Sequence, residues 1–236
     1  MSTLSGGPNV VMDGLVLWLD AANPKSYVSG STTWNDISRS QLNGTIASSY
    51  SYSSSFGGGV SFAGNNTMYV PFVLDTSTNF TIEVVAKCNT MITEQSPQNR
   101  QTVWSFISGS SQGYQLLDLE VWNDGITSIN GDNTNFTGPL TGNFFPIGAN
   151  NIKVYTLSKS GTSQSWYFDS VFRGSVTQTY TGLSQYFKLG SRGPTPTGIG
   201  QPWNGAFYSA KIYNRALTAQ EILQNYNSLK SRFGLT

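Results

Sequence analysis

The sequence predicts an all-β protein: two antiparallel sheets packed face to face, closed by one short C-terminal helix. Three observations predict it. Runs of β-branched and aromatic residues recur from Leu15 to Tyr213, broken by clusters of Gly, Asn, Asp, Ser and Pro. Only 11% of the 236 residues are charged while 13% are aromatic, a balance that suits half-buried strands joined by polar loops. Thr218-Ala-Gln-Glu221 has the spacing of a capping box and stands before an apolar helical face.

In chain order, strands are expected near Leu15–Asp20, Gly44–Ala47, Gly59–Phe62, Thr67–Val70, Phe80–Lys87 and Thr102–Ile107. More follow near Tyr114–Val121, Thr127–Ile129, Ile152–Ser158, Ser163–Phe168, Val171–Val176, Tyr186–Gly190 and Ala206–Tyr213. Asp169-Ser170 reads as a hairpin turn between two of these runs. The helix is expected over Thr218–Phe233, at the edge of the sandwich. Leu217 and Ile222 sit where a hydrophobic staple belongs, Ile222, Tyr226, Leu229 and Phe233 share one face, and Gly234 follows as a stop. Residues 13–236 read as one domain with no dividing linker. Residues 1–12 read as an N-terminal arm, either a disordered start or a segment that docks on a neighbour. The Ser48–Ser55 stretch, which carries Tyr50 and Tyr52, reads as a mobile loop.

Composition excludes several functions. The net charge is +1, without the clustered Lys and Arg that counterion-driven nucleic-acid binding needs. No run is long and apolar enough to span a membrane, and the N-terminus lacks a signal-peptide pattern. Cys88 is the one cysteine, so the core must hold the fold without an intrachain disulfide; it follows Ile82–Ala86 and reads as a buried structural thiol. There is no histidine, which removes Ser/His and Cys/His nucleophilic pairs and His metal ligands. The glutamates are Glu83, Glu94, Glu120 and Glu221. Glu221 is absorbed by the cap, and Glu83 reads as the outward face of a strand.

The closing segment, Tyr213-Asn-Arg-Ala-Leu-Thr218 before a short helix, resembles the end of LamG-like, concanavalin A-like jelly-roll domains. The opening Gly6–Asn23 stretch, with Leu15-Val-Leu-Trp-Leu-Asp20, is similar to such domains in tailed-bacteriophage virion proteins. Trp34-Asn-Asp-Ile-Ser38 with Asn43-Gly44, then Val60-Ser-Phe-Ala-Gly64 and Phe80–Lys87, continue the resemblance in order over nearly the whole chain. It implies a concanavalin A-like jelly-roll sandwich. Where the family often places Asn-Gly or Asp-Gly, this chain has Asp169-Ser170. The fold hosts lectins, glycosidases, adhesion modules and structural modules alike.

Some jelly-roll glycosidases carry Glu-x-Asp-x-Glu on one strand, where period-two geometry presents three carboxylates on one face. Here Asp118 and Glu120 match the second and third positions, and Leu116 replaces the nucleophile. Retaining hydrolysis needs two carboxylates flanking the scissile bond, so a non-enzymatic role is expected. Asn123-Asp-Gly125 and Asn130–Asn135 hold oxygens of the kind calcium takes, with Asp124, Asp132 and Asn133 as candidate ligands; Asx residues beside glycine also simply make turns. No other cofactor is expected. Tyr50, Tyr52, Trp122 and Trp203 are candidates for stacking on sugars, whereas Trp18, Trp34 and Trp104 read as filler of the sandwich. Asn43, Asn65, Asn79 and Asn135 lie in sequons without a secretory route to give them meaning.

The resemblance makes the virion the expected location and other virion proteins the expected partners. On this reading the chain is a structural decoration or attachment module of capsid or tail, present in several copies or as a homo-oligomer. Two alternatives stay open: a phage adhesin that holds host-surface glycans, and a glycoside hydrolase.

Overall fold

The computed structural model describes residues 9–89, 101–108, 115–121, 127–131, 134–136, 151–177 and 182–235. The β-sandwich is as the sequence predicts. The first sheet runs, edge to edge, through β14 (Val171–Thr177), β13 (Ser163–Phe168), β12 (Ile152–Ser160), β7 (Phe80–Cys88), β16 (Asn204–Tyr213), β5 (Gly59–Ala63) and β4 (Ser51–Ser53). β1 (Leu15–Asp20) also pairs with β16, along its second half. The second sheet runs β11 (Thr134–Phe136), β10 (Thr127–Gly131), β9 (Gln115–Val121), β8 (Gln101–Ile107), β15 (Tyr186–Leu189), β6 (Met68–Pro71), β3 (Gly44–Ile46) and β2 (Thr33–Trp34). The assigned pairings in both sheets are antiparallel.

Alternation sorts the side chains. Phe80, Ile82, Val84 and Ala86 of β7 point into the sandwich with Leu117 and Leu119 of β9, Trp104 and Phe106 of β8, and Phe187 and Leu189 of β15. Trp104 stacks on Trp166 across the core with ring centroids 6.3 Å apart and planes 7° apart. Cys88 is buried beside them. The β13–β14 hairpin turns through Asp169 and Ser170, both at positive φ, 50° and 64°, as a type I′ turn demands. Asp169 accepts the Val154 amide at 3.0 Å, and this side-chain bond supports the backbone in the place of a glycine.

Three expectations change. The Ser48–Ser55 stretch is not a loop throughout: Ser51–Ser53 forms the edge strand β4 on β5, a pairing that local composition does not reveal. The arm's residues 9–12 lie against the chain's own helix. Val11 is buried, its amide donates to Asn225 Oδ1 at 2.9 Å, and Gln224 Nε2 donates to Asn9 O at 2.7 Å. The helix α1 (Ala219–Phe233) covers the face of the first sheet and not its edge: Tyr226, Leu229 and Phe233 pack on Val85, Val154, Ala206 and Tyr208.

That placement buries Glu83, expected on an outward face. Glu83 and Lys211 face each other across β7 and β16, each 1% exposed, with Nζ–Oε1 at 2.6 Å. Asn225 Nδ2 donates to Glu83 Oε2 at 3.2 Å and to the Tyr213 hydroxyl at 2.9 Å. Burial, with the Glu83 carboxylate beside it, pushes the Tyr213 phenol far above its ordinary pKa. Removing one partner of a buried pair strands the other charge. Lys211→Met is therefore expected to destabilise by about 3–5 kcal/mol in urea titrations, and Lys211→Met/Glu83→Met to recover a large share. A single variant as stable as the wild type would show that the pair does not hold the helix.

The capping box forms as predicted. Thr218 Oγ1 accepts the Glu221 amide at 3.3 Å, Glu221 Oε2 accepts the Thr218 amide at 2.9 Å, and Gly234 ends the helix in the left-handed region. Arg215 adds a two-pronged bond to the Glu221 carboxylate at 2.6 and 3.0 Å. This bond, chiefly, holds the carboxyl down to about 2 from an ordinary 4.5. The folded pKa lies below the unfolded one, so the stabilisation is complete above about 4.5 and is lost as pH falls towards 2. Thr218→Ala should cost roughly 1 kcal/mol at neutral pH. Glu221→Gln should flatten part of the acid limb of a stability–pH curve measured by thermal unfolding.

Candidate functional site

The two outer faces of the sandwich differ. The first is roofed by α1. On the second sheet, the register lines up one outward row across six strands: Asp118 on β9, Ser105 on β8, Lys188 on β15, Tyr69 on β6, Thr45 on β3 and Thr33 on β2. Period-two geometry puts them all on the face opposite the core. The row has a covered half and an open half.

The covered half is charged. Asp118, Glu120, Ser105, Thr102 and Lys188 are fully buried. Arg192, its side chain 21% exposed, reaches Glu120 Oε1 at 2.6 Å and Gln201 Oε1 at 3.0 Å, with Nε 3.7 Å from Asp118 Oδ2. The expectation that Asp118 and Glu120 share one face is therefore met, and Leu116 falls in the same strand β9. The loop after β15 lies over this half, tied by Lys188. The Lys188 Nζ donates to the carbonyls of Gly193, Thr195 and Gly198 at 3.1, 3.0 and 2.7 Å. Burial pulls its pKa down to about 8 from 10.5; three acceptors for three protons offset part of that desolvation. Ser191 Oγ accepts the Gly193 and Gly200 amides, and the Arg192 amide donates to Gly200 O. The loop is thereby closed on itself.

The open half is uncharged. Tyr69 and Tyr186 are partly exposed and pack edge to face, with ring centroids 6.1 Å apart. Neither phenol hydroxyl has a hydrogen-bond partner among the described residues. Thr33, Thr45, Pro71 and Gln185 are exposed around them. β15 carries both Lys188 and Tyr186, and Tyr69 is the register partner of Lys188, so the tied loop stands beside this surface as a wall. Pro194, Thr195, Thr197 and Ile199 are exposed on it.

The aromatics expected to meet ligand are placed otherwise. Trp203 is fully buried, its ring 5.8 Å from Phe207, and offers no face to a sugar; this corrects the expectation for that residue. Tyr50 and Tyr52 are half-buried at the end of the core. Their hydroxyls donate to Ser31 O at 2.8 Å and Ala21 O at 3.3 Å, and Tyr52 packs on Tyr27. Trp122 lies outside the described residues, as do Asp124, Asp132 and Asn133, the candidate calcium ligands. Among the described residues, no group of three or more Cys, Asp or Glu gathers as a metal site would require. The Trp34–Gly44 motif is a turn brace. Asp36 accepts the amides of Trp18, Ser38 and Leu42 and the Ser38 hydroxyl, and Asn43 Oδ1 accepts the Asp36 amide. Tyr69 and Tyr186 lie on strands and not in the loops where ligand aromatics are expected. Their signal was an aromatic at an outward strand position, which becomes informative only once the pairing of β6 with β15 is known.

No family model matches the chain, and no curated protein sequence matches it. Solved structures share its fold. Trypanosoma rangeli sialidase in complex with sialic acid aligns at TM-score 0.69 and 16% identity, over 97% of this chain and 36% of that one. The chain thus spans about a third of the sialidase. Domain 4 of AbnA, a GH43 extracellular arabinanase from Geobacillus stearothermophilus in complex with arabinotriose, aligns at TM-score 0.64 and 15% identity, over 92% of this chain and all of that one. The binding domain of botulinum neurotoxin DC in complex with SialylT aligns at TM-score 0.65 and 13% identity, over 92% and 52%. These likenesses establish the β-sandwich and nothing finer.

Lys188 makes a direct test of the loop. Lys188→Met is expected to take the lysine donor from three carbonyls, of which Gly198 O keeps the Ser191 hydroxyl, at a cost of roughly 1–3 kcal/mol. Hydrogen exchange should speed up at the Gly193, Gly198 and Gly200 amides and stay unchanged in β16. Unchanged exchange in the loop would show that it does not depend on the lysine.

Proposed function

We propose that the chain is a non-hydrolytic carbohydrate-binding sandwich that uses the outer face of its second sheet. The observation that carries this reading is the pair of partly exposed tyrosines on an open strand surface, beside a loop held rigid from below. Aromatic faces and fixed polar groups are what a sugar ring needs, one for its C–H face and the other for its hydroxyls. Two solved domains of like fold, the arabinanase domain in complex with arabinotriose and the toxin binding domain in complex with SialylT, support the reading. Hydrolysis is not favoured. Asp118 and Glu120 are both buried, Glu120 is bonded to Arg192, and Leu116 stands where the retaining mechanism needs a carboxylate.

Resemblance of the opening Gly6–Asn23 segment to LamG-like domains in phage virion proteins supports a finer reading. The module is carried on a tailed-phage particle, as an attachment or decoration protein or an adhesin for host-surface glycans. Mass spectrometry of purified particles with immunogold labelling would test it; absence from particles would remove the virion role and leave the binding role standing.

A glycan microarray spanning plant, algal, bacterial and animal glycans is expected to show binding by the full chain. Prolonged incubation with the bound polysaccharide should release no new reducing ends. Turnover that disappears in Glu120→Gln would overturn the non-hydrolytic reading.

A further inference from the structure

The outer face of the second sheet has a charge pattern and a length that narrow its ligand, given the carbohydrate-binding reading on which this inference rests. We infer that the ligand is an uncharged glycan chain of several residues, laid across the strands over Tyr186 and Tyr69 towards Thr45 and Thr33, and not a single acidic sugar.

The charge argument comes first. An acidic sugar needs a cation with unused donors, since charge-assisted bonds to a carboxylate supply much of its affinity. β2, β3 and β6 contribute no charged residue. Lys188 is the charged residue of β15, but it is fully buried and spends its three protons on the loop carbonyls. Arg192 faces two buried carboxylates and the Gln201 amide oxygen, so its field is already answered by anions. An incoming carboxylate would meet Glu120 and Asp118 before it met an uncompensated cation. The open half offers the opposite chemistry. Two phenol hydroxyls lack protein partners among the described residues, two threonine hydroxyls are exposed, and two aromatic edges and faces stand beside them. Neutral hydroxyls match hydroxyls of the ligand without desolvating a charge.

Length follows from the register. Tyr186 and Tyr69 stand on adjacent strands, and Tyr69, Thr45 and Thr33 continue across β6, β3 and β2. At about 4.8 Å per strand, β15 to β2 spans roughly 14 Å. A single pyranose covers one tyrosine, whereas a chain engages the ring pair and the threonines together. The loop of residues 193–199 closes the Lys188 end of the row, so the open surface runs from the tyrosines towards Thr33.

Isothermal titration of the full chain tests this with four ligands: a neutral hexasaccharide chosen from the microarray, its monosaccharide, a sialylated trisaccharide and a uronic-acid hexasaccharide. The neutral hexasaccharide is expected to bind at least tenfold more tightly than the other three. Tyr69→Ala and Tyr186→Ala should each weaken it tenfold or more with melting temperature within a few degrees of the wild type. Tyr69→Phe, which keeps the ring and is the safer variant for folding, should lose only a few-fold. Preference for either acidic ligand, or equal affinity for monosaccharide and hexasaccharide, would overturn the inference while leaving carbohydrate binding intact. Wild-type affinity in both alanine variants would move the site off this row. A microarray and titrations without binding to any ligand would overturn the carbohydrate reading itself, and the inference with it.

Discussion

The buried pair of Glu83 and Lys211 determines how the rest of the molecule can be used. Two charges at 1% exposure on the outer face of a sheet are costly unless something covers and completes them. Asn225 does both: its amide donates to Glu83 and Tyr213 from the helix, and its carbonyl accepts the Val11 amide from the arm. One polar cluster therefore ties together β7, β16, the helix and the N-terminal residues. Around it, Tyr226, Leu229 and Phe233 close the apolar surface of the same sheet. Arg232 pins the helix end, bonding Asp20 at 2.7 Å and the Phe56 and Gly58 carbonyls.

A sandwich with one face sealed in this way has one sheet face left for recognition. The second sheet bears no helix among the described residues, and its polar side chains are arranged in register instead of scattered. Lys188 links structure to function there. Its chain belongs to the sheet, but its ammonium group sets the height and shape of the loop beside the Tyr69–Tyr186 pair. Arg192, at the foot of that loop, serves the buried carboxylates Asp118 and Glu120. Among the described residues the charges of this face are paired with one another or with loop carbonyls, and the open half over β6, β3 and β2 carries none.

The legible parts of the sequence were the local ones. Thr218 and Glu221 announce the helix start because a capping box is complete within four residues. Leu15–Asp20 and Ser163–Phe168 announce strands by alternation and were placed with the observed bounds. The helix lies on the sheet face and not at the expected edge, because an amphipathic face says that something is covered, not what. The covered face of β7 carries Thr81, Glu83 and Val85, a mixed and largely polar row, so its cover shows only once the helix is in place. β4 is not legible locally, because its Ser-rich sequence acquires strand character only from its partner β5. Trp203 follows a Gly- and Pro-rich loop in sequence, yet enters the core just before β16. Asp118 and Glu120 were seen as a pair on one face, and their partner Arg192 was not, because a distant loop delivers it. Tyr69 and Tyr186 come together only through the pairing of β6 with β15.

On the proposed reading, the outer face of the second sheet binds ligand while the helix-covered face of the first does not. A crystal structure of the full chain soaked with the tightest-binding oligosaccharide tests this most directly. Sugar density across Tyr186, Tyr69 and Thr45, with the 193–199 loop in place over Lys188, is the predicted result. Density on the helix side of the sandwich, or at the core end around Tyr50 and Tyr52, with the second sheet bare, would contradict it.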